Sequence, residues 1–133
     1  MAYISKEIVI EASAEDVWDV IGDFAKGPSR MAPGLVVDTT AEAGERTVTF
    51  ADGTVVREKR VSVDDDVRRI AYSVVDGTVA PEHDNAAMQI VSEGERRCRM
   101  VWTRDVLPDE LAETMGRAMA HCLDVIKKTL DEK

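Results

Sequence analysis

The sequence predicts an α+β domain in which a curved antiparallel sheet of about six to seven strands wraps around one long C-terminal α-helix, with short helices after the first strand. Two observations carry this expectation. Between Leu35 and Asp105 the apolar residues recur with a period of two, broken by turn residues. From Leu107-Pro108-Asp109 to about Leu130 the period becomes helical, with Leu111, Met115, Ala118, Met119, Cys122, Ile126 and Leu130 at three- and four-residue steps.

The elements follow in order. Tyr3 to Glu11 reads as a strand, with Ile4, Ile8 and Ile10 on one parity and Lys6 interrupting it. Ser13 is a candidate helix N-cap, with Asp16 three residues on, and the helix runs from about Ala14 to Asp23. Val17, Trp18 and Ile21 give that helix an apolar face. Gly22 and Gly27-Pro28 break it, leaving Phe24 to Pro33 as a short second helix or a loop.

Strands at Thr47–Phe50 and Thr54–Val63 are joined at Asp52-Gly53, a hairpin signal because its positions favour positive φ. The run Asp64-Asp65-Asp66 is a solvated turn, since the following Val67-Arg68-Arg69 lacks the spread of oxygen ligands that a calcium loop needs. Ile70 to Val75 is the next strand, and Ala86–Val91 with Arg97–Thr103 forms another hairpin. Cys98, Met100 and Trp102 share one face of the last strand, while Arg97, Arg99 and Thr103 share the other. The long helix is the one element large enough to cover the apolar face of such a sheet. Space left between them is a natural ligand cavity.

Composition bounds the function. The 133 residues suit one domain, 1–133, with no need of a disulfide or metal to hold it. The N-terminal stretch lacks the pattern of a signal peptide, and no apolar run reaches the roughly 18 residues of a spanning helix, so a cytoplasmic protein with no membrane insertion is expected. With 26 acidic against 17 basic residues, a nucleic-acid partner is not expected, and Arg96, Arg97 and Arg99 read as a solvated hairpin. Cys98 and Cys122 match no zinc or redox spacing and read as small buried hydrophobes. No phosphate loop, dinucleotide fingerprint or hydrolase motif is present, so no cofactor is expected.

Three segments stand out: Ile8-Val-Ile-Glu-Ala-Ser-Ala-Glu-Asp-Val-Trp-Asp-Val-Ile-Gly-Asp23, then Val56-Arg-Glu-Lys-Arg-Val61 with Ile70-Ala-Tyr72, and Met100-Val-Trp102 before the last helix. Together they resemble the START-like (SRPBCC) superfamily, which includes polyketide cyclases and dehydrases, plant pathogenesis-related ligand carriers and lipid-transfer domains. With the element order, the resemblance covers essentially the whole chain and implies the helix-grip fold. One departure is Gly27-Pro-Ser-Arg-Met-Ala-Pro33, which has no aromatic after Phe24. That segment resembles part of the family's cavity entrance, so a different mouth is expected here.

Candidate polar groups come from the inward strand faces. Arg104 shares the face of Cys98, Met100 and Trp102; Tyr72 shares that of Ile70 and Val74; Asp84 shares that of Ala86 and Met88. A two-residue turn at Asp52-Gly53 would pair Val48 with Arg57, placing Arg57 inside and Glu58 outside, whereas a one-residue bulge would reverse them. Because an unpaired inward charge is costly, Arg57, Tyr72, Asp84 and Arg104 are candidates for orienting a ligand, or else form ion pairs near the sheet rim. Met88, Met100, Met115, Met119 and Trp102 are candidates for the cavity lining or for plain core. His121 falls at the edge of the helix's polar face, and His83 lies near a strand end.

The favoured expectation is a binder or carrier of a hydrophobic small molecule such as a lipid, polyketide or isoprenoid. A second is an enzyme resembling the cyclases and dehydrases, with Arg57 or Arg104 stabilising an enolate and Asp84, His83 or Tyr72 moving protons. A third is a protein-interaction module resembling chaperone activators or ribosome-associated toxins.

Overall fold

The computed structural model of the chain describes residues 1–132. The chain runs β1 (Ala2–Ile10), α1 (Ala14–Ile21), α2 (Gly27–Met31), β2 (Val36–Glu42), β3 (Glu45–Phe50), β4 (Val55–Asp64), β5 (Arg69–Gly77), β6 (His83–Ser92), β7 (Cys98–Leu107) and α3 (Leu111–Leu130). The seven strands form one antiparallel sheet in the order β1-β7-β6-β5-β4-β3-β2. Strands β2 to β7 are therefore a simple meander, to which β1 adds at the far edge. The two short helices carry the chain from one edge of the sheet to the other.

Local chemistry accounts for the boundaries. Ser13 Oγ accepts the Asp16 backbone N–H at 3.1 Å, which caps α1. The helix ends at Gly22, where an added Cβ would lie 2.7 Å from the Trp18 ring. That ring reaches out to the acidic turn, with Trp18 Nε1 donating to Asp65 Oδ1 at 3.0 Å. Pro28 sits in the first turn of α2, where its missing N–H costs nothing. The three-aspartate run is a turn: Asp64 Oδ1 accepts the backbone N–H groups of Asp66 and Val67.

The Asp52-Gly53 hairpin differs from the simple two-residue form, and the difference matters. Phe50 N–H donates to the Thr54 carbonyl at 2.8 Å, so the loop has three residues, with Gly53 at φ 93°. Val48 then pairs with Val56, and Thr47 with Arg57. Glu58 is turned inward and buried, and Arg57 is turned outward. The inward placement of Arg57 is thereby corrected, because the extra loop residue slips the pairing by one and exchanges the two faces.

The inner face of β7 follows strict alternation, with Cys98, Met100, Trp102, Arg104 and Val106 buried. Bulges in β2 and β4 interrupt the register and bend the sheet. Helix α3 lies chiefly against β1, with smaller contacts to β7 and α2. Its buried residues are Gly116, Met119, Leu123 and Ile126, so the true stripe includes Leu123 and excludes the exposed Ala118. Helix α2 packs on β2 and closes the other side of the interior. This is the helix-grip arrangement.

Gly116 faces β1, and an added Cβ would meet Ile4 Cγ2 and Lys6 Cε at 3.9 Å, an ordinary contact. Nothing in the packing there requires glycine. Gly116→Ala should therefore raise stability by about 0.5–1 kcal/mol, through the helix propensity it restores. The check is the urea unfolding midpoint, which should rise with an unchanged slope.

Surface charge is largely paired. Arg97 bonds Glu11 at 2.9 Å, and Arg99 bonds Glu7 at 2.7 Å and Glu93 at 3.0 Å, which neutralises the arginines of the β6–β7 hairpin. Both cysteines are free thiols, Cys98 buried in the core and Cys122 half-buried on α3. Burial pushes the Cys98 thiol up to about 11 and the Cys122 thiol up to about 12, so neither is a nucleophile at neutral pH.

Candidate functional site

Between α2, α3 and the inner face of β2 to β7 lies a cavity of about 60 Å³. Its wall is mostly apolar, with Pro28, Met31 and Ala32 from the α2 side and Cys122 from α3. Val48 and Phe50 of β3 and Met88 of β6 line the sheet side. Four polar residues share this wall: Arg46, Glu58, Tyr72 and Trp102. Two of them, Arg46 and Glu58, form a buried ion pair, with Arg46 Nε donating to Glu58 Oε1 at 2.7 Å. Arg46 Nη1 also donates to the Phe24 carbonyl at 3.0 Å, which ties β3 to the α1–α2 turn.

The other two form a hydrogen-bonded aromatic pair. Trp102 Nε1 donates to the Tyr72 hydroxyl oxygen at 3.0 Å. Among the described residues nothing accepts the Tyr72 O–H, so its proton is unspent. Burial pushes the phenol well above its ordinary value, so it acts as a hydrogen-bond donor rather than as an acid. Guanidinium groups flank the ring, Arg46 at 5.1 Å and Arg104 at 5.7 Å from its centroid.

Behind Tyr72, Arg104 and Asp84 form a second buried pair, Nε to Oδ1 at 2.7 Å. The contact is ionic only. The N–H is not aimed at the oxygen, and neither atom has a hydrogen-bond partner among the described residues. Asp84 Oδ2 accepts the Val74 N–H at 2.8 Å, fixing the carboxylate. Burial works against the Arg104 charge, but Tyr72 and Asp84 outweigh it and hold its pKa above the ordinary value. Two full ion pairs in the interior are an expensive substitute for apolar packing. They place donors and acceptors of both signs around one tyrosine.

The sequence-derived candidates divide accordingly. Tyr72, Trp102 and Met88 lie on the cavity wall. Arg104 and Asp84 are buried on the inner face beside Tyr72 but do not form that wall. Met100 and Met119 are fully enclosed core, and Met115 is half-buried against it. Arg57 points outward and is held by Glu45 at 3.2 Å and Asp76 at 3.0 Å. His83 and His121 are exposed. Sequence reasoning missed Arg46 because the strand was started at Thr47. Arg46, Val48 and Phe50 share one parity, and extending the strand by one residue finds it.

A meandering sheet gripping a C-terminal helix, with an apolar interior that holds a few polar groups, defines a START-like domain. The chain belongs to the polyketide cyclase/dehydrase and lipid transport family, whose model matches residues 1–131. No curated protein sequence matches it. An uncharacterized protein from Bacillus thuringiensis is similar in structure, with a TM-score of 0.85 at 19% identity over 98% of this chain and 100% of that one. A START superfamily protein from Mycobacterium smegmatis gives 0.78 at 16% identity over 96% of each chain. Norcoclaurine synthase from Thalictrum flavum, solved in complex with dopamine and hydroxybenzaldehyde, gives 0.71 at 20% identity over 96% of this chain and 84% of its own. At these identities the likeness is one of fold.

Among the described residues no helix is long and apolar enough to cross a membrane.

Proposed function

We propose that the chain binds a hydrophobic small molecule, such as a lipid, polyketide or isoprenoid, between α3 and the sheet. The observation that carries this reading is the Tyr72 hydroxyl, buried on the wall of an apolar cavity with its proton unspent. A hydroxyl so placed discriminates ligands, because an apolar body fills the space while one oxygen acceptor satisfies the donor. Met31 and Met88 give the wall adaptable surface. At about 60 Å³ the cavity is smaller than the 300–1,000 Å³ that typical ligands occupy, so binding displaces part of the wall.

Trp102 makes the test direct, since it lies on that wall and Trp18 is the other tryptophan of the chain. In a Trp18→Phe background, titration with a neutral aromatic ketone and with a long-chain fatty acid should change the Trp102 emission saturably for at least one of them. Emission that stays constant for both up to their solubility limits overturns the reading.

An enzymatic reading has one observation in its favour. Tyr72 can donate to a ligand carbonyl while Arg46 and Arg104 stand by its ring, an arrangement suited to stabilising an enolate oxygen. Glu58 supplies a carboxylate on the same wall. Arg57 and His83 are too exposed to take part.

Tyr72→Phe separates the two. Losing one hydrogen bond should weaken binding of an oxygen-bearing ligand roughly 2–10-fold, and leaving the Trp102 N–H unpaired should cost about 1–3 kcal/mol of stability. A carrier keeps binding in this variant. An enzyme loses turnover of its substrate by a far larger factor than it loses affinity.

A further inference from the structure

We propose that a surface groove beside α1 is the outer half of the ligand site, with the Phe24 ring as the partition between groove and interior. This rests on the ligand-binding reading above. The groove has a volume of about 460 Å³ and is open to solvent. Gly22, Asp23, Phe24 and Ala25 form one side of it, the β2–β3 turn from Ala41 to Glu45 another, and Arg60 and Val63 of β4 the third.

Phe24 lines the groove and meets the wall of the inner cavity through Arg46. The Arg46 guanidinium, which lines the inner cavity, lies 4.6 Å from its ring centroid. The Arg60 guanidinium, which lines the groove, lies 5.4 Å from the same centroid. The ring thus has one cation from each compartment within cation–π range. Its main chain is anchored: the Phe24 carbonyl accepts Arg46 Nη1, and the neighbouring Asp23 accepts from Arg30 and from the Lys26 N–H. The side chain alone can swing without disturbing the turn. When it does, the small cavity joins a groove whose volume already lies in the range of small-molecule sites, and the site gains an apolar inner end.

The slot that the ring vacates also specifies the ligand. Two guanidinium groups within reach of one π system favour a flat aromatic or conjugated body in the same place. Such a body would replace the contacts that Phe24 gives up. Its apolar end would reach the Tyr72 wall, and its other end would stay in the groove among Asp23, Glu42, Glu45 and Arg60.

The test is stopped-flow uptake of 1-naphthylphenylamine, a neutral aromatic probe, by the full chain. Phe24→Ala should speed association at least tenfold. Ala41→Trp, which fills the groove from β2, should slow it at least tenfold, and Glu95→Trp in the distant β6–β7 turn should leave it unchanged. If Phe24→Ala does not fold, Ala41→Trp carries the test alone. Probe that binds the native chain at a rate insensitive to Ala41→Trp overturns this inference and leaves the ligand-binding reading standing. Probe that binds no variant at all overturns both.

Discussion

Arg46→Met will destabilise the protein by about 3–5 kcal/mol, the cost of leaving a buried carboxylate without its cation. Glu58 is the partner left behind, with its side chain 10% exposed and its Oε1 bonded to Arg46 Nε at 2.7 Å. The same substitution removes the hydrogen bond to the Phe24 carbonyl and the cation over the Phe24 and Tyr72 rings. Met keeps most of the volume, so the loss is electrostatic rather than a cavity effect. The double variant Arg46→Met/Glu58→Leu should recover much of the stability, because a buried ion pair replaced by apolar residues of similar size is often neutral. Urea unfolding of the two variants checks both statements. A single variant within 1 kcal/mol of the parent would mean that Glu58 finds another partner or water.

Gly77→Ala will cost roughly 2–5 kcal/mol, from backbone strain and overpacking together. Gly77 ends β5 at φ 128°, a conformation that side chains resist. It pairs with Val56, and an added Cβ would sit against the Val55 carbonyl oxygen and 2.9 Å from Val56 Cα. Those neighbours are backbone and cannot swing aside. The β4–β5 pairing they belong to holds Glu58 and Tyr72 on the inner face, so ligand binding should weaken along with stability. Gly53→Ala is the informative comparison, since its φ is also positive but no atom lies within 4 Å of the added Cβ. It should cost only about 1 kcal/mol. Equal losses in the two variants would contradict the steric argument.

The legible parts of the fold are those where burial is one-sided. Strand β7 alternates along its whole length, so the inward placement of Trp102 and Arg104 could be read directly. Strand β2 was not individually recognisable because it is an edge: its pattern is one buried residue followed by mostly exposed ones, and no period of two is written into it. The α3 stripe was readable in period but slightly misaligned, since small residues such as Ala118 fit either face. The exchange of Arg57 and Glu58 was a matter of a single loop residue. Asp52-Gly53 signals a hairpin, but the sequence does not distinguish a two-residue from a three-residue loop, and the parity of all of β4 hangs on that.

The site was legible only strand by strand. Tyr72, Asp84 and Arg104 were found because each shares parity with apolar neighbours. Their distances to one another depend on how adjacent strands are staggered, as with Ala86 opposite both Tyr72 and Arg104. Arg46 lay next to a Gly-containing turn, where a charged residue is ordinarily solvated. Phe24 lay between two helical segments with no period to orient it.

Native mass spectrometry of the protein from its own cells, followed by incubation of the same sample with an organic extract of those cells, tests the central claim most directly. The account predicts a discrete added mass of one small molecule, present at isolation or acquired from the extract, which organic solvent releases as an apolar compound. A chain that keeps its bare mass in both states would contradict it.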